Sequence, residues 1–292
     1  VFTISDLKSH PGSIFFVHYG TGTDGAGYGN NPDSPLATLD YAVGLCTAAK
    51  GDVIYLLPGH AESVISASTL TLDVAGIKVI GLGWGAARPT FTITTADTAT
   101  FNITAANVWV ENILVVGNFL NIAAAITIKT SATACTLKDV EVRDTSVVLG
   151  ALIMISVAAN MHDLTLDGVR CIATALTAAA TQVVNCAGAV NRLRIVNCQF
   201  YGACTGAVVG ASTAASSDVF LRGITMLNTD TTNGLGIALH NSSTGFADEI
   251  VSVNLKNTVK GLTGTGLSVG PNVVYSNAVN AYAGLFSYTI DS

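Results

Sequence analysis

Charge is what this chain has least of. Only 11% of its 292 residues are Asp, Glu, Lys or Arg, where a soluble domain ordinarily carries about a quarter. A surface this poor in charge suits a protein that covers much of itself with other protein. The 13 basic residues are scattered and the net charge is −6, which leaves no basic patch of the kind that nucleic-acid binding needs. No apolar run reaches the ~18 residues of a membrane span, and no signal-peptide pattern opens the chain. Neither nucleic acid nor membrane is an expected partner. The six cysteines, Cys46, Cys135, Cys171, Cys186, Cys198 and Cys204, form no CxxC pair. Their spacing fits neither a zinc site nor a disulfide framework. They read as small core residues, and a reducing compartment during folding fits that reading.

Half of the residues are hydrophobic, enough for a sizeable core, and the polar remainder is rich in Thr, Ser and Asn. That mixture suits stacked β structure better than helices. An internal repeat emerges when the pattern apolar-x-apolar-x-(Asn/Asp/Gly)-apolar is marked. Val108-Trp109-Val110-Glu111-Asn112-Ile113 is one instance and Leu164-Thr165-Leu166-Asp167-Gly168-Val169 another. The turn residue falls at 81, 112, 139, 168, 197, 223 and 254, with steps of 31, 27, 29, 29, 26 and 31. Such spacing fits solenoid coils whose loops vary in length. In a strand, residues i and i+2 share a face, so Val108, Val110 and Ile113 point inward while Trp109 and Glu111 point out. The register flips at the Asn/Asp/Gly position, where a left-handed backbone makes a sharp bend. Stacked Asn residues there could form a side-chain ladder. Each coil carries a second apolar stretch, such as Ala125-Ile126-Thr127-Ile128 or Leu152-Ile153-Met154-Ile155. Hairpin turns are nearly absent, which argues against an up-and-down barrel. The pattern therefore predicts an all-β, right-handed parallel β-helix of about seven coils.

Residues 1–33 read as a strand at Ile14-Phe15-Phe16-Val17 followed by a Gly-rich loop. Residues 34–51 read as a capping α-helix over Pro35–Lys50, with Ser34 as N-cap and Gly51 as its end. Its apolar positions Leu36, Leu39, Val43 and Cys46 would cover the first coil and protect an exposed sheet end. The β-helix itself spans 52–260, opening with a strand at Asp52–Leu57. Residues 261–292 form a C-terminal cap or a tail that contacts another subunit.

The segment from Asn31 to Ala42, followed by Gly51-Asp-Val-Ile-Tyr-Leu-Leu-Pro-Gly-His60, resembles the opening of pectate-lyase-like β-helix proteins. Val79-Ile-Gly-Leu-Gly-Trp-Gly-Ala-Ala-Arg-Pro-Thr90, with Thr98–Asn107, resembles more specifically the β-helix proteins encoded by tailed phages. The general resemblance covers nearly the whole chain, and the phage-type one chiefly residues 30–145. The resemblance implies the fold strongly and an activity weakly.

Carbohydrate lyases of that superfamily use acidic calcium ligands and a nearby Arg base. The matching residue types here are Asp139, Glu141, Asp163 and Asp167, with Arg143, Arg170, Arg192 and Arg194. No three carboxylates recur at a common coil position, as a calcium site would need. Glycosidases need two carboxylates on one face, and Asp139 with Glu141, or Asp163 with Asp167, are candidates. His60, His162 and His240 share no metal-ligand spacing. Asp24 and Asp33 offer too few oxygens for calcium. Neither a metal nor another cofactor is expected. Trp84 and Trp109 are candidate sugar-stacking platforms, Trp109 the better placed because it points outward; the preferred reading of Trp109 is a subunit-interface anchor.

The expected function is a virion structural protein of a phage, decorating the capsid or forming part of a tail appendage, with no enzyme activity. It would be a homotrimer in contact with other virion proteins. The alternatives are a tailspike-type β-helix that binds or cleaves polysaccharide, with host glycan as partner, and an extracellular cell-surface filament subunit.

Overall fold

In the computed structural model, residues 12–174, 180–210, 214–230, 235–254, 260–263, 267–270 and 273–276 are described. Each coil begins with a short strand in which alternate residues are buried. In Trp109–Glu111 the central Val110 is inside and its neighbours are half-exposed. That coil continues through Leu114–Gly117 and Ile126–Ile128 before the next begins at Thr136. Every strand pairs in parallel with the equivalent strand one coil away, building sheets of ten, nine and eight strands. Val79, Val110, Leu137, Leu166, Ile195, Leu221 and Ala247 lie in one register column. All seven are buried. The alternation thus becomes a continuous core along the axis, the parallel β-solenoid that the repeat predicts.

The corner between the ten- and nine-stranded sheets holds Asn112, Asp139, Gly168, Asn197, Gly223 and Glu249, all with φ between 51° and 65°. A left-handed residue here costs about 1–2 kcal/mol outside glycine. The corner amides offset that cost by bonding along the stack. Asn112 N donates to the Lys138 carbonyl at 3.0 Å, Asp139 N to Asp167 at 2.9 Å and Gly168 N to Val196 at 3.0 Å. The two outermost bends predicted from sequence are misplaced. Gly81 ends the strand Lys78–Gly81, and the loop 82–89 follows it. Asn254 ends Val251–Asn254, and the corner of that coil is Glu249. Its strand, Gly245–Asp248, has Ala247 as its buried residue, so the apolar alternation fades there. An asparagine ladder does not form, because Asp139 and Gly168 separate Asn112 from Asn197 in the corner column.

The N-terminal strand Ile14–Val17 pairs with Val53–Leu56 and extends the largest sheet. The capping helix is shorter than its spacing predicts, Leu39–Leu45 with Thr38 as N-cap. Pro35 and Leu36 are extended, because the Leu36 backbone bonds with Phe16 and His18 on the sheet edge. The Asp24 carboxylate accepts the amides of Ala37 at 2.9 Å and Thr38 at 3.1 Å. Leu39, Ala42 and Val43 are buried against the first coils. At the other end the sheets run on through Leu267–Val269 and Val273–Ser276. Residues 277–292 of the expected tail lie outside the described residues.

Candidate functional site

On the outer face of the nine-stranded sheet, Glu141–Asp144 turns Val142 and Asp144 inward and Glu141 and Arg143 outward. Arg170 lies beside Glu141 on the following coil, and Leu114 beside it on the preceding one. The loop 82–89 leans over them. Asn112 Nδ2 fixes it by donating to the carbonyls of Gly81 at 2.8 Å and Gly83 at 3.0 Å. Leu82 N donates to the Leu56 carbonyl, and Gly59 N to the Ala87 carbonyl. Arg88, at the end of the 3-10 turn Gly85–Ala87, donates to the Asp139 carbonyl and to Glu141 Oε2, the latter at 3.3 Å. Gly85, Ala86, Arg88, Leu114, Glu141, Arg143 and Arg170 together line a cleft of about 430 Å³, a size that suits a small molecule or a segment of a polymer.

The electrostatics of this cleft are one-sided. Arg88, Arg143 and Arg170 face a single carboxylate, Glu141, at 3.3, 3.6 and 3.8 Å. Burial pushes the Arg88 guanidinium below its usual value, Glu141 and Asp139 oppose that shift, and Arg143 and Arg170 add to it. Arg88 Nε is buried without a hydrogen-bond partner. The Arg143 and Arg170 side chains are about half exposed, at 49% and 50%. Their contacts with Glu141 are long for charge-assisted hydrogen bonds, and such exposed pairs contribute little on their own. Both guanidiniums are therefore free to turn toward an incoming anion at small cost.

The other candidates fall elsewhere. Asp139 sits at the corner and contributes its carbonyl to Arg88; its carboxylate packs over Gly168. Asp163 lies at a different corner, just before the strand Thr165–Asp167, where Arg192 grips it at 2.6 and 2.7 Å and His162 Nδ1 approaches at 3.0 Å. Those contacts, Arg192 first, hold its carboxyl well below the usual carboxylate range. Asp167 is on the outer face of the ten-stranded sheet, accepting from Asn197 Nδ2 at 3.4 Å. Among the described residues lining the cleft, Glu141 is the one acid, and no group of three or more His, Cys, Asp or Glu could hold a metal. Arg194 covers the Phe220 ring at 4.7 Å. Trp109 is half-buried, its indole donates to Glu111 at 2.9 Å, and Lys78 lies over its ring at 5.3 Å. Trp84, beside the cleft, is 87% exposed. Arg88 has no repeat position and so gives no signal in the sequence; its contacts with Asp139 and Glu141 lie 51 and 53 residues away.

The fold and this cleft define a parallel β-helix with a cationic groove on one sheet. No protein-family model and no curated sequence matches the chain. Among solved structures it is similar to the pectin methylesterase of Aspergillus niger in deglycosylated form, at 12% identity and a TM-score of 0.50, over 97% of this chain and 92% of that one. It is similar also to a rhamnogalacturonan lyase, at 13% identity and a TM-score of 0.49, over 89% and 87% of the two chains. At such identity the likeness is one of fold.

Proposed function

We propose that this chain is a polysaccharide-binding β-helix whose ligand is an acidic glycan, held by its anionic groups against Arg88, Arg143 and Arg170. The observation that carries this reading is the set of three guanidiniums about one carboxylate in a cleft of polymer-segment size. Guanidinium matches the two oxygens of a carboxylate or sulfate in a fork geometry. The parallel sheet runs on along the axis beyond the cleft, with Gln199 beside Arg170 and Tyr201 beside Ile172 on the next coil. An extended polymer fits such a floor better than a compact ligand does. With one carboxylate, the cleft favours binding over the two-carboxylate hydrolysis that the sequence allowed.

The test is calorimetry with polygalacturonate, a plain uronic-acid polymer, and with a neutral galactan as control. The acidic polymer is expected to bind and the neutral one not, with affinity falling as salt rises. The double variant Arg143→Ala/Arg170→Ala is expected to weaken binding about ten- to a hundredfold. Failure of the unaltered protein to bind any acidic glycan on an array would end this reading. New reducing ends in the same incubations would show that cleavage accompanies binding.

A second reading, a self-associating component of a particle such as a virion, draws on the exposed apolar side chains Ile65, Val147 and Val148 and on the sparse charge. Light scattering coupled to size exclusion should then give a trimer or larger. A monomer would remove this second reading and leave the first untouched.

A further inference from the structure

Trp84 is the most exposed of the large hydrophobic side chains described. It stands one residue before the turn Gly85–Ala87, two residues of which line the arginine cleft. A tryptophan left in water has no partner for its apolar faces, yet the backbone here is built to keep it there. Gly83 and Gly85 flank it at φ 95° and 58°. A Cβ at Gly83 would stand 2.7 Å from the Ala87 carbonyl oxygen, so that position accepts no other residue without moving the loop. Asn112 holds the Gly81 and Gly83 carbonyls, and Ala87 N donates to the Trp84 carbonyl at 3.1 Å. Trp109 is the contrast, with its N–H used by Glu111 and its ring covered by Lys78. The loop therefore presents an uncommitted indole in a fixed place beside a cationic cleft.

We propose that Trp84 is a stacking platform for a second sugar ring of the glycan whose acidic group lies in the arginine cleft; this rests on the acidic-glycan reading above. The occupant follows from chemistry and position. A pyranose has one face of C–H groups, apolar and weakly positive, which suits the negative face of an indole. The arginines supply charge recognition, and Trp84 supplies uncharged, shape-dependent contact to the neighbouring unit. A single sugar in the cleft does not need Trp84, whereas an oligomer uses both. Because the loop is tied down before the ligand arrives, little ordering opposes the contact. Trp84 would thus set a preference for polymer over monomer.

The test is a length series, galacturonic acid and its dimer to pentamer, titrated into the unaltered protein, Trp84→Ala, Trp84→Phe and Arg143→Ala/Arg170→Ala. Trp84→Ala is expected to weaken binding of the longer oligomers about three- to tenfold. It should leave the monomer's affinity and the Tm unchanged, since the side chain is exposed. Trp84→Phe should recover part of the loss. If Trp84→Ala binds every length as well as the unaltered protein while the double arginine variant fails, the stacking role is overturned and the acidic-glycan reading stands. If the unaltered protein binds none of the series nor the polymer, the stacking role is overturned, and failure on an array of acidic glycans as well overturns the acidic-glycan reading. If Trp84→Ala instead dissociates an oligomer seen by light scattering, without changing glycan affinity, Trp84 is a subunit contact and the stacking role is overturned.

Discussion

At the scale of single residues, Asn112 shows how the corner of a coil and the site are joined. Its backbone stands at φ 54°, which Asn tolerates better than most residues, and its amide ties down the loop that carries Trp84 and Arg88. Replacing it separates these roles. Asn112→Ala is expected to lose about 1–3 kcal/mol of stability from the strained backbone and the stranded carbonyls. Asn112→Gly keeps the left-handed corner without the amide and should lose less. Thermal or chemical denaturation of the pair checks this; equal losses would mean that the amide, not the backbone, decides stability. Asp139 occupies the equivalent place one coil on, and there the corner residue gives Arg88 a carbonyl rather than a carboxylate.

At the scale of elements, the helix cap depends on one buried acid. Glu62 is 4% exposed, and its Oε2 accepts the amide of Leu39 at 3.0 Å, in the first turn of the helix. His60 Nδ1 accepts from Tyr19 N at 3.1 Å, so its other nitrogen carries the proton and donates to the same Glu62 oxygen at 3.2 Å. A seven-residue helix is marginal by itself, and this network fixes it over the open end of the sheets. Glu62→Ala is expected to destabilise the protein by about 1–3 kcal/mol for each donor left unpaired. Glu62→Gln retains an acceptor oxygen and should lose less. Urea denaturation distinguishes them: an equal loss would assign the effect to charge rather than to hydrogen bonding.

At the scale of the whole molecule, the core is one continuous column in which cysteine serves as a small apolar filler. Five of the six thiols are buried and Cys46 is partly so; none is paired in a disulfide. Burial, joined by Asp52 at Cys46, pushes the thiols up, Cys135 to about 11 and Cys46, Cys186, Cys198 and Cys204 to about 12. Unfolding returns them toward the usual value of about 9. Between those limits the unfolded chain binds fewer protons than the folded one, so stability must fall as pH rises. Denaturation midpoints are therefore expected to decline from about pH 9 upward, and the decline should shrink in a variant with Cys186 and Cys198 replaced by Ala, measured against its own neutral-pH value. A thiol reagent at pH 8 should react slowly with the native protein and with all six thiols after denaturation. Rapid reaction of several thiols in the native state would show that the coils open far more easily than their packing implies.

The amino-acid sequence by itself determined the solenoid. Alternation sends Val110, Leu137 and Leu166 inward, and Asn112, Asp139 and Gly168 supply the bends, because side-chain period and left-handed tolerance are local properties. It also placed the strand Ile14–Val17 and the outward direction of Trp109 and Glu111. Local pattern failed where distant partners compete. Pro35 offers a good helix start, yet a sheet edge takes the backbone of Leu36; Gly81 and Asn254 satisfy the repeat, yet each is the last residue of a strand rather than a corner. The cleft lies beyond what local pattern can give. Glu141 and Arg170 meet because coils stack about 4.8 Å apart, and Arg88 joins them because a loop between sheets folds across two coils. Which guanidiniums share a carboxylate, and which tryptophan stays free in water, depends on coil-to-coil register and loop path, and only the tertiary structure decided both.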